Sequence, residues 1–331
     1  SYGNSMNALV TGGAGFIGSH LVDALIAQGH HVTIIDDFST GTQENLQHLP
    51  HSLLSIEKRS ITHELHDVFR MKRFDCIFHL AAIASVPYSI EHPKETEEIN
   101  YRGTLRLLDA CVRYRIPRFI FSSSCAVYGE QGTVPYTESM PPAPLSPYAE
   151  QKLKSEQACT DFTEKHGIEA ISLRYFNVYG PRQSPQGAYA SVIPAFAVAF
   201  LEHRQPVIYG DGNQTRDFVY ISDVVSGNLA ALQTQKSAAF GSSINIGTGK
   251  ETSVNEIFKA LKSITNVNVQ PIFQQPRKET RRACAEIARS YALLNWKPSL
   301  SLHEGIRKTW EYYAGEIQDK HPLKKSAFPN S

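Results

Sequence analysis

The stretch Thr11-Gly12-Gly13-Ala14-Gly15-Phe16-Ile17-Gly18 decides the fold. Ahead of it, Asn7 to Thr11 is a short apolar run that halts at Gly12-Gly13, as a strand ending in a turn does. Behind it, Phe16 to Gln28 carries Ile17, Leu21, Ala24 and Leu25 at helical spacing, and Gly29 stops the helix. The glycines at 12, 15 and 18 therefore span a strand-to-helix joint as Gly-x-x-Gly-x-x-Gly. In such a joint Gly12 permits a tight turn, Gly15 lets the backbone approach a pyrophosphate, and Gly18 lets helix and strand pack closely. Unpaired N–H groups and the positive end of the helix dipole favour the anion at that helix start.

The next strand, His31 to Ile35, ends in Asp36-Asp37, and Asp36 lies 18 residues beyond Gly18. That is close to the spacing of a carboxylate that binds the ribose of a dinucleotide. A carboxylate accepts hydrogen bonds from both ribose hydroxyls and repels a 2′-phosphate. No Arg stands between Asp37 and Gly41 to receive one, so NAD is expected rather than NADP.

Strand-like Cys76 to Leu80, Phe119 to Ser122 and Ala170 to Arg174 alternate with helix-like Thr104 to Tyr114 and Tyr148 to His166. This alternation predicts an α/β protein, a Rossmann-type doubly wound parallel sheet with helices on both faces. After Asn177 the texture changes. Gly180-Pro181, Ser184-Pro185, Pro194, Pro206 and Gly210-Asp211-Gly212 cut the pattern into shorter pieces. The expected organisation is a dinucleotide domain over residues 6–178 and a smaller substrate lobe over 179–316. Arg216 to Ile221 and Ser243 to Ile246 are strand-like, so segments near 214–246 are expected to return to the first domain. Residues 1–5 precede Met6 and are expected to be an added remnant. The polar, Lys-rich stretch from Ile317 to Ser331 is expected to be a loose tail.

The chain has 331 residues, enough for one large or two moderate domains with a buried core. With 33 Lys plus Arg against 32 Asp plus Glu, its net charge of +1 provides no basic field for nucleic acid or anionic lipid. Its longest apolar runs, such as Ala195 to Leu201, fall far short of a membrane span. The cysteines at 76, 111, 125, 159 and 284 are odd in number and form no Cys-x-x-Cys, which argues against disulfides and zinc and for a reducing, cytoplasmic setting. Nor do the thirteen histidines show a ligand spacing: His30 and His31 read as turn residues, His63 and His66 as an exposed helix face. No metal is expected.

Tyr148 and Lys152 are four apart in a helical segment and so share a face. Ser124 ends a parallel strand, at the edge where open α/β sheets place their chemistry. A phenol serves as a base near neutrality only if its pKa falls, and both a neighbouring ammonium and a cationic nicotinamide favour phenolate. On this reading Lys152 lowers Tyr148 and reaches the nicotinamide ribose, while Ser124 holds the reacting oxygen.

Gly12 to Gly18, Asp36, Asn100, Ser122-Ser123-Ser124, Tyr148-x-x-x-Lys152 and Arg174-Tyr175-Phe176-Asn177 together resemble the extended short-chain dehydrogenase/reductases. The resemblance is strongest to their UDP-sugar 4-epimerases and runs from Met6 to about Tyr313. It implies Ser124, Tyr148 and Lys152 as the catalytic trio. It implies NAD contacts from Gly12, Gly15, Phe16, Ile17, Gly18, Asp36, Asp37, Ser60, Ile61, Leu80, Ala81, Ala82, Asn100, Ser122 and Tyr175, besides Tyr148 and Lys152. For a UDP-sugar substrate it implies Ser85, Val86, Asn177, Val192, Arg216, Arg277 and Ala283, with Ser124 and Tyr148. Arginines suit that role because guanidinium pairs with phosphate in a two-pronged fashion. A homodimer built on the Thr104–Tyr114 and Tyr148–His166 helices is likewise implied.

Departures from the family pattern narrow the reading. Related dehydratases resemble Thr-Asp-Glu where this chain has Ser124-Cys125-Ala126, so the extra acid and base needed to remove water are missing. Ser60 stands where an Asp usually touches the adenine, and Ala84 where some epimerases have Lys. Ala283 occupies a position at which epimerases restricted to plain hexoses resemble one another in carrying Tyr. Its methyl group leaves room for a 2-acetamido substituent. Ala84 to Ile90 and Tyr189 to Pro194 also resemble the UDP-N-acetylhexosamine epimerases. The expected reaction is therefore C4 inversion of a UDP-hexose, UDP-N-acetylglucosamine ahead of UDP-glucose or a UDP-uronic acid.

Overall fold

The computed structural model describes residues 4–187 and 190–320. Its strands, in chain order, are β1 (Asn7–Thr11), β2 (His31–Asp36), β3 (Leu54–Lys58), β4 (Cys76–His79), β5 (Arg118–Ser124), β6 (Glu169–Tyr175), β7 (Asn177–Tyr179), β8 (Val207–Tyr209), β9 (Thr215–Arg216), β10 (Phe218–Tyr220), β11 (Ser243–Ile246), β12 (Thr252–Ser253) and β13 (Ile272–Gln274). Seven of them form one all-parallel sheet in the order β11-β6-β5-β4-β1-β2-β3. Chain order reverses between β1 and β4, which opens a crevice beyond their carboxyl ends. The central strands are covered on both faces, and their middles are apolar: Ala8, Leu9, Val10, Ile77, Phe78, Phe119 and Ile120 are all buried.

The helices are α1 (Phe16–Ala27), α2 (His66–Met71), α3 (Val86–Glu91), α4 (Pro93–Glu97), α5 (Gly103–Arg113), α6 (Pro147–His166), α7 (Val192–Leu201), α8 (Ile221–Gln233), α9 (Val254–Thr265), α10 (Ala288–Leu294) and α11 (Leu302–Lys320). Leu21, Leu25, Val224 and Ile306 belong to the core on one side of the sheet, and Leu107, Leu108, Cys111 and Cys159 to the core on the other. A π-turn over Glu98–Arg102 joins α4 to α5. Among the described residues no helix is long and apolar enough to cross a membrane.

Four expectations need correction. Arg216 to Ile221 is not one strand: β9 pairs with β12 and β10 with β7. The break falls at Asp217, whose buried carboxylate accepts from the backbone N–H groups of Thr248, Gly249 and Ala285. The tail does not begin at Ile317, because α11 continues to Lys320; residues 321–331 lie outside the described residues. His31 begins β2 rather than lying in a turn, and His30 is buried there with Nδ1 accepting from Met6 N at 3.0 Å. His63 precedes α2 instead of riding on it.

Candidate active site

Three glycines set the geometry at the crevice. Gly12 adopts φ +71°, and a Cβ there would stand 2.8 Å from Ala81 N, so the loops after β1 and β4 touch. A Cβ on Gly18 would lie 2.1 Å from Gly12 O, which fixes α1 hard against the turn. Gly15 differs: a Cβ there would meet only Gly12 O, at 3.4 Å. No side chain caps α1, so its first N–H groups face that open space beside Phe16 and Ile17.

Asp36 ends β2 with Oδ2 accepting from Ala14 N at 2.9 Å and Oδ1 from Phe38 N at 2.8 Å. The carboxylate thus braces the glycine loop while keeping further lone pairs for a ligand. Asp37 is exposed and accepts from Ser39. Other implied cofactor contacts turn inward. Ser60 spends its hydroxyl on Thr62. Ile61 is buried in the core against Gly103, leaving only its backbone for the crevice. Asn100, buried in the π-turn, accepts from Ile83 N and donates to Ile83 O and Gln151 Oε1. It therefore shapes the loop after β4 instead of presenting its amide to a ligand. Leu80 and Ala81 in that loop both donate their N–H to Thr11 Oγ1; Ala82 follows, partly exposed.

The trio converges where β5 meets α6. Ser146 caps α6 by accepting from Ala149 N, Pro147 fills the first turn, and Gly167 closes the far end at φ +70°. That start seats Tyr148 in the first turn and Lys152 one turn later. Tyr148 N also donates to the buried Ser89 Oγ of α3, at 3.1 Å, a tie that sequence spacing did not reveal. Ser124 caps the short turn Cys125–Tyr128 by accepting from Ala126 N at 3.0 Å, with its hydroxyl near the Tyr148 phenol. Lys152 is buried, donates to Ser122 O at 2.7 Å, and lies 5.7 Å from the centre of the Tyr148 ring. Ser122 Oγ pairs with Tyr175 Oη, itself held by Asn228, so Tyr175 buttresses the strand from behind.

The titration behaviour departs from expectation. Burial pushes the Tyr148 phenol up to about 12, with Ser124 opposing it, and pulls Lys152 down to about 8, with Glu156 opposing it. The protein alone does not supply an activated phenolate, because desolvation outweighs the help from Ser124. Cys125, raised to about 11 by burial, is no activated thiol. Among the described residues no cluster of three or more His, Cys, Asp or Glu is placed to hold a metal.

A cleft of ≈ 870 Å³ is lined by Val86, Asn177, Val192, Arg216 and Arg277, five of the residues implied for substrate, and α3 links it to the trio: Val86 of that helix is on its wall, and Ser89 of the same helix accepts from Tyr148 N. Arg204 and Lys278 add positive charge to its wall and Glu279 subtracts one. Tyr209, missed from sequence, contributes a ring with the Arg277 guanidinium 3.5 Å from its centre. Ser85 is not on the lining: its hydroxyl caps α3 by accepting from Tyr88 N. Ala283 is not on it either, being 5% exposed in a small apolar cluster with Tyr128, Tyr136 and Phe176, against which Cys125 packs. Tyr189 lies outside the described residues.

Residues 8–247 match the NAD-dependent epimerase/dehydratase family. The chain belongs to that family. This epimerase-family enzyme is 37% identical over 317 residues to the UDP-glucose 4-epimerase of Mycolicibacterium smegmatis, covering 95% of this chain and 100% of the relative. It superposes on a UDP-N-acetylglucosamine 4-epimerase from Methanobrevibacter ruminantium, in complex with UDP-N-acetylmuramic acid, with TM-score 0.89 and 38% identity over 95% of this chain and 99% of that one. A UDP-glucuronic acid 4-epimerase from Bacillus cereus, in complex with UDP-glucuronic acid and NAD, gives TM-score 0.86 and 34% identity over 94% and 100% of the two chains. The family member's cofactor is NAD, and the residues present fit it. Gly15 leaves open the space a side chain would fill, and α1 offers an uncapped N-terminus.

Proposed function

We propose that this protein inverts C4 of a UDP-hexose reversibly, with 2-acetamido sugars preferred. The observation that carries the reading is the Ser124, Tyr148 and Lys152 cluster, tied through α3 to a cleft whose wall holds Arg204, Arg216 and Arg277. A diphosphate held by Arg216 and Arg277, with Asn177 alongside, anchors the substrate far from C4 and leaves the hexose free to present either face. Tyr148 takes the proton of the 4-hydroxyl and gives it back, Ser124 holds that oxygen, and Lys152 favours the phenolate once cofactor and substrate are in place. NAD, when bound, supplies the two-electron acceptor and returns the electrons within the same turnover. The relatives named for UDP-glucose, UDP-N-acetylglucosamine and UDP-glucuronic acid support the UDP-sugar class. The similarity to a UDP-N-acetylglucosamine 4-epimerase supports the acetylated member of it.

The test is to incubate the purified protein with UDP-N-acetylglucosamine, and separately with UDP-glucose, without added NAD, and to resolve the C4 epimers by NMR. Epimer formation without net NADH is expected, faster with the acetylated sugar. A requirement for stoichiometric NAD, or no epimer from either sugar, removes this reading.

A further inference from the structure

Behind the trio lies a buried charge cluster that the reaction as described leaves unused. Glu156 sits one helical turn beyond Lys152 on α6, hence on the same face. Its carboxylate accepts from Ser123 Oγ, from Ser243 Oγ at 2.8 Å, and from Arg174 through Nε at 3.0 Å and Nη2 at 2.7 Å. Glu156 and Arg174 are only 3% and 5% exposed. The Arg174 guanidinium in turn lies 4.8 Å from the centre of the Tyr128 ring, whose hydroxyl donates to Asn245. Carboxylate and ammonium are anchored on successive residues of β5: Glu156 takes the side chain of Ser123, and Lys152 donates to the carbonyl of Ser122.

One buried carboxylate therefore pairs directly with Arg174 and lies one helical turn from a second buried cation, Lys152. A buried ammonium without a counter-charge sheds its proton. The charged and titratable groups facing Lys152 are few. Tyr148 and Glu156 lie on its own helix, while on β6 Arg174 reaches it through Glu156 and Tyr175 through Ser122. On β4 is His79, neutral because burial takes it down to about 3. Of these, Glu156 alone is an anion.

Resting on the assignment of Lys152 to the reaction, we propose that Glu156 is the positioning residue that keeps Lys152 an ammonium in its buried seat, and that Arg174 limits how strongly it does so. The direction of the Lys152 shift agrees, since Glu156 works against desolvation there. The carboxylate touches neither substrate nor cofactor on this view; it acts through the charge of its neighbour. A purely structural knot would lose stability on mutation without moving the titration of Lys152.

The experiment is an NMR titration of the Lys152 side chain in the NAD-bound protein, its resonance identified by loss in Lys152→Met, alongside the pH profile of kcat. Glu156→Gln should lower the Lys152 midpoint by about 1–3 pH units, the size of a neighbouring-charge effect. Arg174→Met should raise it, and the alkaline limb of kcat should move with each. Glu156→Asp keeps Arg174 paired but draws the carboxylate back by one methylene, so it should fold and give a smaller downward shift. Midpoints that stay put, or that move the same way in Glu156→Gln and Arg174→Met, overturn the proposal. The titration needs no substrate. Opposite shifts without any UDP-sugar turnover would uphold the charge relation and overturn the assigned reaction instead.

Discussion

Tyr148 is the residue on which the chemistry turns. Tyr148→Phe deletes the titrating hydroxyl while leaving a ring to pack, so fold and bound NAD should survive. Turnover should fall by about 10²–10⁴-fold, the usual contribution of a positioned acid–base group. Near-normal kcat in that variant would take Tyr148 out of the mechanism. The pairing of Tyr148 with Lys152 was legible in the sequence because i, i+4 spacing fixes a shared helix face. Their protonation was not, because it depends on depth of burial and on Glu156, a residue with no distinctive local pattern. His79 shows the same point with a sign attached. Its Nδ1 meets Thr11 Oγ1 at 2.7 Å and its Nε2 meets Thr104 Oγ1 at 3.0 Å, and burial pulls its pKa from 6.5 to about 3. Between those values the unfolded chain binds a proton that the folded chain refuses. Stability must then fall as pH drops below 6.5, by about 1.4 kcal/mol per pH unit from this site. His20 and His30 are lowered too and push the same way. Urea unfolding at pH 7, 6 and 5 should therefore show a shallower loss for His79→Gln than for the unmodified protein, and equal slopes would refute the assignment.

At the scale of elements, the glycine loop separates two kinds of glycine. Gly18→Ala drives a methyl carbon to 2.1 Å from Gly12 O, so α1 must back away from β1. That should cost about 1–3 kcal/mol of stability, as overpacking does, and NAD with it. Gly15→Ala meets no such obstacle and should keep the melting temperature while weakening NAD binding in cofactor-stripped protein. Equal thermal losses in both variants would show that Gly15 is a packing glycine as well. Strands β1, β2, β4, β5 and β6 were readable because parallel strands buried on both faces are continuous apolar runs. β3 was not: Ser55 and Ile56 are exposed at the sheet edge, and Glu57 and Lys58 blur any pattern. The π-turn around Asn100 leaves no sequence mark either, since its neighbours are ordinary helix formers.

Across the whole molecule, the substrate question rests on how residues 282–286 meet the first half of the chain. Tyr136 N donates to Cys284 O, Glu286 N donates to Tyr136 O, and the Tyr136 hydroxyl donates to Arg282 O, so Ala283 is strapped into a cluster reaching Cys125 beside Ser124. Ala283→Tyr forces a ring into that packed cluster, which should press Cys125 and Ser124 toward the sugar and lower kcat/KM for UDP-N-acetylglucosamine roughly ten- to a hundredfold relative to UDP-glucose. An unchanged ratio, or an equal loss for both sugars with a lower melting temperature, would make Ala283 a packing residue only. Such contacts join positions about 150 apart in sequence, which is why periodicity could not disclose them. The same long reach bears on biosynthesis. β11 covers the outer edge of β6, yet Ser243 is made long after Tyr175. At about 5–20 residues per second, a ribosome leaves that edge bare for several seconds. During that interval the nascent chain offers a row of unpaired backbone groups to any neighbouring strand, and a message truncated before the codon for Ser243 would leave the exposure permanent.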